Sequence, residues 1–573
     1  MEPPMTRADT QEAPLLAHSL VVGVTGHRKL RDTDLPALQS RVSSFLQELQ
    51  ARYPRLPVVL LSSLAEGSDQ LAAQAALDLG IRVVAPLPLP ERMYREDFED
   101  PQALDGFGQQ LRQVEAIELP LEQGVWPEDV ARPGPARDRQ YARSGVFVSS
   151  HCHVLLALWD GKESGSTGGT AQVVRYHLHG TLGGAVERRY SADTLLGPDR
   201  ESVVYHLPTA RQGDTDTPPL PGRWLTAEDE IVSSYADPPP AFARMFARQS
   251  AFNVDRDKYA AEIAAQHEAS PGARRCPIWR TFSAADWLAR TCQRRVARVL
   301  WITYVLVALM GFTFFTYTHV ISHDVVIYAF LTIFLVGFGV ATLASRRQWQ
   351  RKYLDYRTLA EGLRVQSYWR RAGLVQPGAP AFVHDNFLQK QDVELGWIRN
   401  VMRGASLDGM RVQVADDVAE VDAVIREWIG SAQSGGQLGY YSAASLRRER
   451  QHRRAETLGL VCITLGVGMS VVLALFARQF DDHLKHILVS VMGILSVAAA
   501  VHEAYMHKKA DKELARQFRF MQRIFASARR LLDGARDKAE KRRILAALGE
   551  AALTEHAEWS LMHRDRPLPT SRI

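Results

Sequence analysis

The sequence predicts an N-terminal α/β domain with a parallel sheet, followed by an all-α region that crosses a membrane four times and carries a cytosolic helical stalk. Near the N-terminus, short apolar runs alternate with amphipathic helical stretches, which is typical of a parallel sheet covered by helices on both faces. Further along, four apolar runs are long enough, or nearly so, to cross a hydrocarbon core of about 30 Å.

Composition limits the function classes. The 573 residues exceed what one hydrophobic core usually fills. Hydrophobic residues make up 46% of the chain and the mean hydropathy is slightly negative, which argues against a transporter embedded entirely in the membrane. The net charge of +5 is too small for a dedicated nucleic-acid-binding protein, so nucleic acid is not an expected partner. Four scattered cysteines without a C-x-x-C pair argue against a disulfide scaffold and a zinc site, so no metal ligands are predicted.

Residues 1–18 are predicted to form a disordered tail, because they are rich in proline and acidic residues. They lack the basic segment and apolar core of a secretory signal. We therefore expect the N-terminal half of the chain to stay in the cytosol.

The α/β domain is predicted over residues 19–210. Near-continuous apolar runs predict strands at residues 19–24, 57–62, 81–86 and 153–159, with a further strand at 203–208. Helices are predicted at residues 35–49, 67–79 and 138–149. Ligands bind outside the carboxyl ends of parallel strands, so the residues that follow each strand are the candidates for function.

Small and polar residues follow three of these strands, at one edge of the sheet. The candidates for ligand binding are Thr25, Gly26, His27 and Arg28 after the first strand, Ser62, Ser63, Glu66, Gly67, Ser68 and Asp69 after the second, and Asp160, Gly161, Gly168, Gly169 and Thr170 after residues 153–159.

Each candidate also has a simpler interpretation. Gly168, Gly169 and Thr170 precede a predicted helix, whose free N–H groups would face a phosphate, but such a sequence is often a plain loop and N-cap. The only role of Glu66 and Asp69 could be to place negative charge at the start of a helix. His27 and Arg28 could be ordinary solvated loop residues. Their placement together at strand ends favours a nucleotide-type ligand.

The same residues resemble the SLOG superfamily, a Rossmann-like fold also found in DNA-processing proteins, Lonely Guy phosphoribohydrolases and the N-terminal regions of TRPM channels. The resemblance covers about residues 19–210 and implies binding of a nucleotide or a relative of ADP-ribose. The motifs that carry it are residues 24–28 (VTGHR), 62–69 (SSLAEGSD), 94–98 (YREDF), 138–141 (DRQY), 155–161 (LLALWDG) and 168–174 (GGTAQVV).

One departure from the family pattern favours sensing over catalysis. The phosphoribohydrolase branch carries a glutamate three residues after the threonine of its Gly-Gly-x-Gly-Thr motif, whereas here Ala171, Gln172 and Val173 follow Thr170. Glu66 or Asp160 could replace that glutamate, but we expect a binding domain with no assigned catalytic residue and no cofactor besides the nucleotide-derived ligand.

Residues 187–240 are rich in Pro, Gly, Asp and Thr and are predicted to be a surface insertion or linker. Residues 241–298 regain helical spacing, and we expect them to couple the α/β domain to the membrane.

The membrane region is predicted to consist of two helical hairpins, residues 299–344 and 457–505. Their apolar runs contain no Asp, Glu, Lys or Arg, which argues against a pump. Glycines such as Gly337, Gly339, Gly466 and Gly468 suit either a narrow pore or a packed anchor. Lys and Arg cluster outside both hairpins, so both termini and residues 345–456 are expected in the cytosol. A buried soluble hairpin is the disfavoured alternative.

Residues 345–456 are predicted to be a cytosolic helical region, and residues 506–573 to form C-terminal cytosolic helices. The segment DYRTLAEGLRVQSYW in the first of these resembles the SLATT-type regions of bacterial conflict proteins, in which membrane hairpins are joined to nucleotide sensors. Its arginines could bind anionic lipid or RNA, but a lipid-facing or salt-bridged helix surface is the commoner case.

Three functions remain open. The first is an antiphage membrane effector. Its SLOG-like domain would sense a nucleotide-derived signal, either an ADP-ribose-like molecule or a cyclic nucleotide, and a homo-oligomer of the chain would then open a pore or disrupt the lipid bilayer. The second is a membrane-anchored enzyme that cleaves a nucleotide or an N-glycosidic bond. The third is a passive scaffold, which leaves the polar strand ends unexplained.

The charge asymmetry generates a prediction about topology. In intact cells, a membrane-impermeant thiol reagent should label Asp481→Cys, in the loop of the second hairpin, but should label Ser434→Cys only after permeabilisation. Labelling of Ser434→Cys in intact cells would reverse the topology.

Overall fold

The computed structural model describes residues 15–122, 124–163, 168–180, 202–214, 220–228, 231–268, 276–319, 323–375, 387–388, 393–410, 418–431, 435–476, 478–509 and 511–564. The chain divides into two compact units. The first unit comprises Met1–Trp287 and Thr358–Ala415, and the second comprises Leu288–Arg357 and Asp416–Ile573. Most of the segment between the predicted hairpins therefore belongs to the α/β unit.

The first unit contains one sheet of eight strands. The strands are β1 (Leu20–Gly26), β2 (Val58–Leu61), β3 (Arg82–Leu87), β4 (Glu115–Glu118), β5 (Val154–Trp159), β6 (Val203–Pro208), β7 (Arg223–Glu228) and β8 (Ile231–Tyr235). Their spatial order is β4-β3-β2-β1-β5-β6-β7-β8. Strands β1 to β6 pair in parallel, whereas β7 and β8 are antiparallel additions.

The strand order reverses between β1 and β5. From β1 the chain moves outward through β2 and β3 to β4, then returns to place β5 on the other side of β1. The two central strands pair in register from Val22 against Val154 to Gly26 against Leu158. Their carboxyl ends therefore lie side by side.

The predicted α/β domain with a mostly parallel sheet is confirmed, and two parts of the sheet differ from the prediction. Strand β4 was not predicted, because Glu115-Ala116-Ile117-Glu118 is short, half charged and at the sheet edge. Strands β7 and β8 lie within residues 187–240, which were predicted to be a linker. They extend the sheet from β6, so that prediction is wrong for these strands, while residues 181–201 lie outside the described part.

Helices pack against the sheet and make up most of the described residues outside it. They are α1 (Leu35–Arg52), α2 (Ser68–Asp78), α3 (Glu91–Arg95), α4 (Pro101–Leu111), α5 (Pro135–His151), α6 (Thr170–His179), α7 (Pro240–Lys258), α8 (Ala260–Glu268), α9 (Ile278–His319), α10 (Asp324–Arg347), α11 (Trp349–Arg371), α12 (Gly396–Met410), α13 (Val418–Val424), α14 (Gly436–Phe476), α15 (Asp482–Lys509), α16 (Asp511–Gly534) and α17 (Lys538–Arg564).

Helix α12 is the most buried helix of the first unit. All 15 of its residues are buried, including Arg399, Arg403 and Asp408. The Asp408 carboxylate accepts the backbone N–H groups of Leu16 at 2.9 Å and Ala17 at 3.0 Å. These bonds hold the turn before β1 against α12.

His153 joins the same helix to the sheet. Its Nδ1 accepts the Val21 N–H at 3.2 Å, and its Nε2 lies 2.9 Å from the Asn400 carbonyl oxygen. Burial, with a smaller contribution from Arg403, lowers the pKa of His153 to about 3, so the ring is neutral and Nε2–H is the donor. Helix α12 therefore lies against the amino ends of β1 and β5.

Among the residues that the structure describes, four helices are long and apolar enough to cross a membrane, and their apolar stretches belong to the second unit. At most 6% of the apolar window in each of them is buried within the chain. The predicted spans fall in α9, α10, α14 and α15, apart from residues 320, 321 and 477, which lie outside the described part. A Cβ at Gly311 would come within 2.6 Å of Val497, so α9 and α15 pack closely there.

Helices α10 and α11 are separated by a break at one residue. Gln348 has a φ of +50° and ends α10, and α11 begins at Trp349. A side chain rarely adopts this left-handed conformation, so the two helices meet at a fixed break.

The Asp408 contacts predict a large effect on stability. Asp408→Ala leaves two buried N–H groups without an acceptor, which should lower the free energy of unfolding by about 2–5 kcal/mol. Thermal unfolding of the full-length protein in micelles measures this. Asp105→Ala, on the exposed face of α4, is the control. Equal midpoints for the two variants would contradict the role of Asp408.

Candidate functional site

The predicted site residues lie around the carboxyl ends of β1 and β5. In sheets of this kind, ligands bind in the crevice where the strand order reverses. Thr25 and Gly26 end β1 and His27 and Arg28 follow it, Ser62 and Ser63 follow β2, Glu66 and Gly67 precede α2, Ser68 and Asp69 open α2, Asp160 and Gly161 follow β5, Gly168 and Gly169 precede α6, and Thr170 opens α6.

The loop after β1 is fastened to the start of α2. The Ser68 N–H and hydroxyl both donate to the His27 carbonyl oxygen, at 3.1 and 2.9 Å. Gly67 has a φ of +85°, and a Cβ there would overlap the Arg28 carbonyl oxygen. Only glycine suits this position, so the contact between the two loops is specified locally.

His27 and Asp160 connect the carboxyl ends of β1 and β5, and we call this pair the His27–Asp160 brace. The Asp160 N–H donates to His27 Nε2 at 3.0 Å, and the Asp160 carboxylate accepts the Lys162 N–H and the Arg211 Nε–H, each at 3.0 Å. Burial lowers the pKa of His27 despite the opposing charge of Asp160. Both side chains are engaged within the protein, so we assign them to holding the crevice in shape.

Asp160 stays ionised in this brace. Burial alone would raise its pKa, but the Lys162 N–H, His27 and Arg211 together hold the pKa below its ordinary value. Its side chain is only 2% exposed. This negative charge is thus neutralised by its neighbours.

Asp69 is the second carboxyl of the site and is in a different state. Burial raises its pKa to about 7, although the backbone N–H groups of Ala65 and Ser63 and the charge of Arg28 act in the opposite direction. The loop that surrounds it includes Leu64, whose φ is +56°. Strained backbone and a carboxyl that titrates near neutrality are both common at functional sites.

Arg28 supplies the positive charge of the crevice. Arg28 is exposed as a residue, but its guanidinium is partly shielded from water, and the guanidinium carbon lies 5.1 Å from the centre of the Tyr141 ring. Within the described ranges no carboxylate forms an ion pair with it. The guanidinium is therefore available to an anion from outside the protein.

Helix α5 links the loop after β2 to the start of α6. Ser144 Oγ lies 3.1 Å from Ser63 Oγ. Gly168 has a φ of +77°, and a Cβ there would come within 3.0 Å of the Ala142 backbone nitrogen. The Gly168 N–H donates to Gln172 Oε1 at 2.9 Å, and Gly169, the N-cap residue of α6, has no side chain that could accept the first N–H groups of the helix.

Val173 is the third residue after Thr170, where the resemblance to the phosphoribohydrolase pattern would place a glutamate. Its side chain is 3% exposed and faces Gly145 of α5. It therefore points into the core. Within the described part of the chain, no group of His, Cys, Asp and Glu is arranged to hold a metal ion.

The strand-end rule missed part of this site. Tyr94, Asp97, Arg137 and Tyr141 form a connected cluster beside Arg28. They lie on or beside α3 and on α5 rather than directly after a strand. Tyr94, Asp97 and Tyr141 fall in the motifs at residues 94–98 and 138–141, which the SLOG resemblance includes without a role, whereas Arg137 lies just before the second motif and had no signal in the sequence.

The raised pKa of Asp69 predicts a pH dependence. Protonated Asp69 adds stability that is fully present below about pH 4 and is lost as the pH rises through about 7. Asp69→Asn removes this titration, so the unfolding free energy of the wild type relative to the variant should fall by on the order of 3 kcal/mol between these pH values. Urea unfolding of the full-length protein across this range checks it, and parallel pH profiles would contradict it.

No family model, curated protein or solved structure matches this chain. The SLOG and SLATT resemblances therefore stay expectations from the sequence motifs alone. Function has to be inferred from the geometry of the residues themselves.

Proposed function

We propose that the first unit is a Rossmann-like, SLOG-type domain that binds a nucleotide-derived ligand in the crevice between β1 and β5. The observation that carries the proposal is Arg28, an exposed residue whose guanidinium has no ion-pair partner in the described part of the chain and stands at the strand-order reversal. A cation in this position attracts phosphate. The neighbouring tyrosine ring is uncharged, so it does not neutralise the positive charge of Arg28.

The start of α6 supports a phosphate-bearing ligand. Gly169 brings no side chain to the helix N-terminus, and its neighbour Thr170 adds a hydroxyl. The first N–H groups of an α-helix and its dipole both favour a negative charge. Adenosine derivatives with one or more phosphates, such as ADP-ribose or a cyclic nucleotide, fit this chemistry.

We extend the proposal to the membrane unit. The chain acts as an antiphage effector in a bacterial inner membrane, with both termini in the cytosol, and as a homo-oligomer it opens a pore or disrupts the bilayer when the ligand binds. The exposed apolar surfaces of four helices support membrane insertion. Nothing in the described chain approaches a Cβ built at Gly339, Gly466 or Gly468, so α10 and α14 have surfaces open to another copy.

A membrane-anchored enzyme is the second candidate. It is favoured by Asp69, whose pKa of about 7 suits a group that exchanges protons at neutral pH. In this alternative, the same crevice would cleave a nucleotide or N-glycosidic bond. Release of free base or ribose phosphate during incubation with ADP-ribose distinguishes it from sensing.

A binding experiment with ADP-ribose tests the proposed site. Gly169→Asp places bulk and negative charge at the helix start, and Arg28→Gln removes the cation, so each should reduce affinity at least about tenfold. The matched controls are Gly134→Asp at the N-cap of α5 and Arg112→Gln at the exposed end of α4. Calorimetry on the full-length protein in micelles measures affinity. Unchanged affinity in both site variants would remove the site.

The same samples test the effector. In liposomes that carry the full-length protein, ADP-ribose should raise dye or ion flux, and Arg28→Gln should not respond. Binding without any increase in flux would leave the membrane unit as an anchor.

A further inference from the structure

A buried arginine anchors the cluster beside Arg28. The Arg137 side chain is 5% exposed. Its guanidinium donates to the carbonyl oxygens of Val130 and Met93, the latter at 3.0 Å, and to Asp97 Oδ2 at 2.7 Å. Two backbone carbonyls thus fix Arg137, and Arg137 fixes the Asp97 carboxylate.

Asp97 in turn holds Tyr141. The Tyr141 hydroxyl donates to the same Asp97 Oδ2. Burial and this bond to Asp97 raise the pKa of Tyr141, so the phenol keeps its proton and remains a donor. Arg28 lies over the ring that is held in this way, 5.1 Å from its centre.

Tyr94 packs against the Tyr141 ring from a second side. Its own ring is 1% exposed, and its centre lies 6.1 Å from that of Tyr141. The Tyr94 hydroxyl donates to the Ser63 carbonyl oxygen at 3.2 Å. The Tyr141 ring is therefore fixed both by the bond to Asp97 and by packing against a buried neighbour.

We infer that Asp97 is a positioning residue, which through Tyr141 holds the Arg28 guanidinium over the crevice in the orientation that binds a phosphate. The inference rests on the proposed function. An unconstrained arginine side chain loses rotamer freedom when it binds an anion, and this loss of entropy weakens binding. A guanidinium that is already held on an aromatic face has lost part of that freedom before the anion binds, so the entropic cost of binding is smaller.

Whether removal of the Asp97 charge weakens or strengthens phosphate binding shows whether Asp97 acts by positioning Arg28 or by simple electrostatic repulsion of the anion. Asp97 is an acidic residue near an anion site, so by Coulomb's law its removal should tighten phosphate binding. If Asp97 acts by positioning, its removal should weaken binding. Glu99 provides the matched control, because its charge also acts on Arg28 while its side chain is 77% exposed and bonded to Lys29.

The experiment uses the full-length protein in micelles with inorganic pyrophosphate and ADP-ribose as probes. Asp97→Asn, and Tyr141→Phe as a second variant that keeps the ring, should each bind about three- to tenfold more weakly than the wild type. Glu99→Gln should bind as tightly or slightly more tightly. Equal or tighter binding in both Asp97→Asn and Tyr141→Phe overturns the inference.

A measurement without ligand makes the two proposals separable. The rate at which phenylglyoxal modifies Arg28, followed by peptide mass spectrometry, should rise several-fold in Asp97→Asn and Tyr141→Phe and stay at the wild-type rate in Glu99→Gln. An unchanged rate in both variants overturns the positioning role. If the wild type binds neither probe, the proposed function fails, and the reactivity of Arg28 still decides whether Asp97 positions it.

Discussion

The first unit depends on the contact between Asp408 and the chain just before β1. One carboxylate accepts two backbone N–H groups, those of Leu16 and Ala17, and so fixes where the first strand begins. Burying a carboxylate is costly unless such bonds compensate for the lost water. The position of β1 in the sheet is therefore tied to α12, a helix that follows it by more than half the length of the chain.

The amino and carboxyl ends of the central strands β1 and β5 have different roles. At the amino ends, His153 bonds to both β1 and α12 and fixes their alignment. At the carboxyl ends, the brace between His27 and Asp160 keeps the same two strands together, while Arg28 is left exposed. Rigid alignment at one end gives the crevice at the other end a defined width, which a binding site for a small ligand requires.

The five central parallel strands and the position of the crevice could be predicted from the sequence, because apolar strands buried on both faces leave a near-continuous apolar pattern and strand ends are simple to locate. The cluster around Asp97 could not, since its bonds join residues about 40 positions apart. Helix α12 was also hidden. Arg399, Arg403 and Asp408 look like an exposed polar face, and only tertiary partners explain their burial. Strands β7 and β8 were masked by turn-forming residues around them.

The late position of α12 in the sequence has a consequence for biosynthesis. Asp408 follows Leu16 by 392 residues, which at about 5–20 residues per second corresponds to on the order of 20–80 s of translation. During that time the ribosome also produces the first pair of apolar helices, so the α/β unit stays incomplete until after they have emerged. A chaperone or the insertion machinery would meet the unit without the helix whose 15 residues are all buried in the finished protein. A soluble version of the unit would therefore need Trp287 joined to Thr358 by a linker, because a fragment that simply stops before the membrane helices lacks part of its own core.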